Sequence, residues 1–167
     1  MAGRYKITSC ILLVGIILAT VFILSNSLND YEASHNLSEN ITDIIISDNN
    51  PNSEYIAILV RKIAHIVEFS ALGVFTIAFS THFRKCYVRS VFGYALFYVL
   101  SVAVADEHIQ SFSDRTSSTG DIILDFCGAL LGFFIGWLII KAYAKIKSYF
   151  QRSEQEKKNG REKTTRA

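Results

Sequence analysis

Residues 122–140 read IILDFCGALLGFFIGWLII, nineteen positions with one charge among them, Asp125. A helix needs about 20 residues to cross a hydrocarbon core of about 30 Å, so this stretch has the length and the apolarity of a membrane span. Asp121, Asp125, Gly128, Gly132 and Gly136 recur through it at steps of three and four, forming one acidic, small-residue stripe on a helix otherwise covered by large apolar groups. Glycines in such a stripe let a second helix approach the backbone closely, which places the two aspartates at a helix interface and away from lipid.

Working outward, three more runs have the same character. Residues 7–24 are apolar apart from Thr8, Ser9 and Thr20, and residues 63–83 are apolar but for His65, Glu68, a few hydroxyls and His82. The run 91–105 reaches spanning length by continuing through Asp106 to Ile109. The expected fold class is therefore all-α, an integral membrane bundle of four transmembrane helices. Composition agrees: of 167 residues half are apolar, 19% are charged and one is proline, with mean hydropathy +0.28. Those values exclude disordered, collagenous and low-complexity chains and argue against an ordinary soluble domain, because the charge is gathered between the apolar runs.

Lys and Arg set the orientation. If the chain crosses four times, segments 1–6, 84–90 and 141–167 share a side, and they hold 14 of the 17 basic residues. Only Arg61, Lys62 and Arg115 fall on the other side, so the positive-inside rule makes both termini cytoplasmic. The reading divides the chain into a first transmembrane helix (1–24), an extracytoplasmic acidic loop (25–56), a unit of three helices (57–144) and a basic cytoplasmic tail (145–167). The first run is too long for a usual leader h-region and lacks a small-x-small site before Ser25, so it reads as a retained helix. The loop is rich in Asn, Ser, Asp and Glu and carries sequons at Asn36 and Asn40; the tail reads as a headgroup contact and orientation determinant, with no nucleic-acid site. Cys10, Cys86 and Cys127 are not placed to bridge and read as small apolar or surface residues.

Charges inside spans are costly, so their depth carries information. Counting in from the span ends puts Glu68 about 7 Å, Asp106 and Glu107 about 3–5 Å, and Asp125 about 6 Å below one outer edge. Arg61, His65, Glu68 and Leu72 lie on one helical stripe, and Glu107 and Gln110 are three apart on another. A salt-bridged knot, with Arg61 or Lys62 on Glu68 and Arg115 on Asp121, is the plain alternative. Six acids (Glu68, Asp106, Glu107, Asp114, Asp121, Asp125) against three bases exceed what pairing needs, and an outward-opening polar pocket accounts for the excess. The candidate binding residues are Arg61, Lys62, His65, Glu68, Asp106, Glu107, Gln110, Arg115, Asp121 and Asp125.

The loop Ser113 to Asp121 is hydroxyl-rich and ends where the fourth span begins. Ser118 followed three residues later by Asp121 has capping-box spacing, and a helix N-terminus beside Arg115 suits a phosphate or carboxylate ligand. The same hydroxyls serve equally as ordinary turn and cap chemistry.

Three ordered motifs carry a resemblance: Arg61-Lys62-x-x-His65-x-x-Glu68-Phe69-x-x-Leu72-Gly73, Asp106-Glu107-x-x-Gln110-x-Phe112-x-x-Arg115, and Asp121-x-x-x-Asp125-x-x-Gly128-x-x-x-Gly132. Over about residues 57–140 the chain resembles the VanZ-like family of small integral membrane proteins; where that family often has a Pro-Gly pair before the loop arginine, this chain has Ser113-Asp114. The resemblance implies a multi-pass protein of the cell membrane, similar to one associated with low-level resistance to the glycopeptide teicoplanin.

Two classes of function follow. In the first, the pocket binds or modulates an anionic amphiphile, either a lipid-linked envelope precursor or a lipoglycopeptide. In the second, the protein is a membrane enzyme on such a lipid, with His65, Glu68 or Glu107 as catalytic candidates and a divalent cation held by Glu107, Asp121 or Asp125. No closed zinc-type spacing is present, so the residues specify neither a metal site nor a cofactor, and the expected partners are membrane lipids or lipid-linked precursors. No serine or cysteine has an adjacent base at nucleophile-elbow spacing, which argues against acyl transfer.

Overall fold

The computed structural model describes residues 2–28, 53–87, 90–112 and 118–165. Four helices account for nearly all of them: α1 (Ala2–Leu28), α2 (Ser53–Tyr87), α3 (Phe92–Gln110) and α4 (Thr119–Thr165). Each contains a segment long and apolar enough to cross a membrane, namely Tyr5–Leu28, Ile58–Lys85, Phe92–Gln110 and Thr119–Glu156. The expected all-α bundle of four spanning helices is the observed one.

The boundaries depart from the apolar runs in informative ways. α1 continues four residues beyond Leu24, because Asn26 and Ser27 find side-chain partners on neighbouring helices and do not need water. α3 does run past Ala105 to Gln110, as its length required. α4 carries straight on through the basic tail, where Lys, Glu and Gln are good helix formers and no proline intervenes. The sequons at Asn36 and Asn40 lie outside the described residues, as do Asp114 and Arg115.

The largest interface in the bundle joins α2 and α4, which run parallel. Gly128 faces Ile66, Gly132 faces Ser70 and Gly136 faces Val74, so the two helices advance together in steps of four. A methyl group added at Gly132 would overlap the Ser70 carbonyl, and one at Gly73 would overlap the Ala129 carbonyl. Ser70 Oγ donates to the Gly128 carbonyl at 2.8 Å across the same seam. The glycine stripe is thus the contact surface that the sequence implied, with α2 as its partner.

α1 lies antiparallel to α2, with Tyr5 near His82 at one end and Asn26 on Glu68 at the other. It runs parallel to α3, where Thr20 shares a 2.8 Å hydrogen bond with the Tyr98 hydroxyl. Phe69, Leu72, Val99, Ala103, Ala129 and Ile23 fill the centre. Most large apolar side chains instead face outward, including Ile7, Ile11, Leu18, Phe97, Ile123 and Phe134, the distribution a lipid solvent asks for. Lys141 Nζ sits 3.9 Å from the centre of the Trp137 ring, a pairing suited to an interface where an aromatic belt meets basic headgroup contacts. Cys10 and Cys127 are exposed free thiols.

Candidate functional site

Polar groups converge at the end of the bundle where α1 and α3 finish and α2 and α4 start. α2 brings Arg61, Lys62, His65 and Glu68, spaced so that successive turns present them toward the same neighbours. α3 brings Asp106, Glu107 and Gln110 from its last turns, and α4 brings Asp121 and Asp125 from its first two.

At the centre is His65. Its Nδ1 lies 3.6 Å from Asp106 Oδ2 and 3.8 Å from Asp125 Oδ1, so one imidazole edge faces carboxylates from two other helices. Asp106 is fully buried and Asp125 is 2% exposed. Ser27 Oγ donates to Asp106 Oδ1, and Gln110 Nε2 donates to Asp106 Oδ2 at 2.8 Å. These donors hold Asp106 in one orientation, a necessity for a carboxylate removed from water.

Glu68 accepts a 2.8 Å hydrogen bond from Asn26 Nδ2 through Oε1, while Glu107 accepts one of 2.5 Å from the Ser118 backbone N–H. The second oxygens, Glu68 Oε2 and Glu107 Oε2, are buried with no hydrogen-bond partner among the described residues. Glu107 itself is 3% exposed. Arg61, Lys62, His65, Glu107, Gln110 and Asp125 help to line a cavity of about 20 Å³, room for a single water or bare ion.

The structure brings together nine of the ten expected binding residues; Arg115 lies outside the described residues. The pairing differs from the alternative salt-bridged knot. Lys62 Nζ reaches Asp121 Oδ1 at 2.9 Å, with both side chains part-exposed, and the partner of Glu68 is the uncharged Asn26. The capping box is also replaced. Ser118 Oγ caps by accepting from the Gly120 N–H at 3.2 Å, but the Asp121 carboxylate goes to Lys62 and the Ser118 N–H goes to Glu107. The Ser118 N–H thus ties the start of α4 to α3, while the anion site expected beside Arg115 falls partly outside the described residues.

Three participants were missed by sequence reasoning: Asn26, Ser27 and the Ser118 backbone. The first two fall just after an apolar run, where chain composition reads as loop. Their helical spacing from Ile23 was the available signal, since Ile23 is buried and Ser27 lies one turn further on the same face.

His65, Asp106 and Asp125 each offer a donor atom within 4.8 Å of the others, a set with the composition of a metal-binding group. The resemblance read from the sequence covers about residues 57–140, and the family match reaches further back, over most of α1, which is in keeping with α1 supplying two site residues. No curated protein and no solved structure matches this chain. The family model described as VanZ/LLP1 does match, over residues 10–140, and the chain belongs to that family.

Proposed function

We propose that this end of the bundle binds the headgroup of an anionic amphiphile at the outer face of the cell membrane, a lipid-linked envelope precursor or a lipoglycopeptide. The observation that carries the reading is the cavity with a basic rim at Arg61 and Lys62 and a floor of buried carboxylates. A phosphate or carboxylate of the head is drawn to the rim at Arg61 and Lys62. The apolar tail stays in the hydrocarbon beside the outward-facing Leu, Ile and Phe side chains. A link to teicoplanin resistance fits the same site, because a lipoglycopeptide and a lipid-linked precursor share an acidic head and an apolar tail at that leaflet. The outward placement rests on the 14 basic residues of segments 1–6, 84–90 and 141–167.

Purified protein is screened by native mass spectrometry and thermal shift against lipid-linked wall precursors, plain anionic lipids and lipoglycopeptides. Saturable binding of one class, lost in Arg61→Ala and Lys62→Ala, supports the reading; equal response to every anionic lipid removes it. Side is checked by single cysteines on a cysteine-free background. Probes replacing Asn36 and Ser117 should react with impermeant maleimide in intact cells and one replacing Ser153 only after lysis. Labelling of the probe at 153 in intact cells overturns the orientation.

A second reading is favoured by His65 standing beside two buried carboxylates, Asp106 at 3.6 Å and Asp125 at 3.8 Å, a set able to supply a general acid or base. In that reading the protein is an enzyme on the same lipid class. Conversion of a bound lipid, lost in His65→Gln, separates it from binding alone.

A further inference from the structure

We propose that His65, Asp106 and Asp125 form a binding site for a divalent transition-metal ion, Mn²⁺ or Zn²⁺, held between α2, α3 and α4. Nδ1 of His65 is 3.6 Å from one carboxylate oxygen and 3.8 Å from the other, and all three donor atoms lie within 4.8 Å of one another. Those separations exceed a hydrogen bond, whose upper limit is about 3.2 Å for nitrogen and oxygen. They are close to the spacing of atoms sharing one ion: ligands at about 2.1 Å in tetrahedral array stand about 3.4 Å apart. A contraction of a few tenths of an ångström brings His65 to ligand spacing from both carboxylates, and side-chain rotation draws the carboxylates together from within 4.8 Å.

Burial and rigidity point the same way. Independent of the three ligands, Glu107 is 3% exposed, lines the same cavity as His65 and Asp125, and keeps Oε2 without a hydrogen-bond partner among the described residues. The cavity of about 20 Å³ has room for one bare ion, and Glu107 brings a buried carboxylate to its wall. Ser27 and Gln110 fix Asp106 from behind, the outer-shell support that metal-ligating carboxylates ordinarily have. One imidazole with carboxylates selects Mn²⁺ or Zn²⁺ over Ca²⁺ and Mg²⁺, which prefer oxygen throughout. The site goes beyond the headgroup reading and does not depend on it.

The test uses the full chain in detergent micelles, stripped with chelator and titrated with Mn²⁺ or Zn²⁺ alone. One ion per chain should bind, at least about tenfold more tightly than Mg²⁺. Asp125→Asn and His65→Gln should each weaken it about a hundredfold or more while keeping helix content and a monodisperse profile. Pulsed electron paramagnetic resonance of the wild-type Mn²⁺ complex should show nitrogen coupling from a bound imidazole, a readout that does not require the variants to fold. Absence of saturable uptake, absence of nitrogen coupling, or folded variants that bind like wild type would each overturn the site. Headgroup binding is measured on the same samples. Lipid binding without metal uptake removes the metal site alone, and metal uptake without lipid binding removes the headgroup reading alone.

Discussion

α2 and α4 meet twice along their length, and the two meetings obey different physics. From Ile66 to Val74 on one helix and Gly128 to Gly136 on the other, the glycines bring backbone close to backbone, with Ser70 and Ile77 filling the remaining space. Within the two turns just before it the same two helices carry Lys62, His65, Asp121 and Asp125, and the contact opens into a cavity. In lipid there is no hydrophobic drive to press apolar helices together, so close packing over a glycine seam must supply the adhesion. That adhesion is what lets the polar end hold buried carboxylates apart from one another without the bundle opening. The seam is a scaffold with one solution; the polar end is a site whose side chains have exchangeable partners.

Gly132→Leu breaks the comparison at its strong side and should give the largest effect. Even a methyl at this position overlaps the Ser70 carbonyl, and an isobutyl group forces the helices apart. The expected loss is about 3 kcal/mol, read as a large fall in melting temperature in detergent with an aggregated elution profile. A melting temperature near wild type would show that α4 can rotate, and the register of the polar end would then need revision.

Asp106→Ala tests whether the polar end also bears structure. It leaves Ser27 Oγ, Gln110 Nε2 and His65 facing an emptied, buried position, at a cost of about 2 kcal/mol. Asp106→Asn keeps an acceptor for Ser27 and should recover more than half of that loss in melting temperature. If Asn destabilises as much as Ala, the negative charge rather than the hydrogen bonding is what the fold requires.

How far the sequence disclosed this arrangement follows from the same contrast. The four spans were legible because apolar length is a one-dimensional quantity. The seam was legible because Gly128, Gly132 and Gly136 recur at helical spacing, and His65, Glu68, Asp106 and Asp125 stood out as charges inside spans. Partner choice was not legible. Whether Lys62 reaches Glu68 or Asp121 depends on how α2 is rotated against α4, and that rotation is set by the seam, two turns away. Asn26 and Ser27 were hidden for a related reason: a helix extends past its apolar run when neighbours provide hydrogen bonds, and those neighbours are remote in sequence. The Ser118 spacing fitted a capping box, yet Glu107 outcompeted Asp121 for the Ser118 N–H because it arrives from α3 at 2.5 Å.

Asn26→Ala sharpens the boundary between the two regions. It removes the hydrogen bond to Glu68 Oε1 in a side chain whose Oε2 already has no hydrogen-bond partner among the described residues. The expected cost is about 1 kcal/mol, in the upper part of the range for hydrogen bonds between membrane helices. Cysteines replacing Asn26 and Glu68 should crosslink under mild oxidation. Failure of that pair to form would separate the end of α1 from the site.

The smallest structural effect is expected at the rim. Lys62 and Asp121 are bonded at 2.9 Å, but their side chains are 48% and 32% exposed, and a part-exposed ion pair is screened by salt and solvent. Lys62→Ala should therefore change stability by no more than about 0.5 kcal/mol, a shift in melting temperature close to the error of the measurement. Its effect on headgroup binding should be disproportionate, because an ammonium at the mouth of a cavity with a carboxylate floor is the group an incoming phosphate meets first. The charge-keeping Lys62→Arg should retain most binding and Lys62→Gln should not, with the difference shrinking as salt is raised from low to physiological concentration. A variant that melts early and loses binding only in proportion to lost folded protein would assign Lys62 to the scaffold, and would move the line between seam and site outward by a full helical turn.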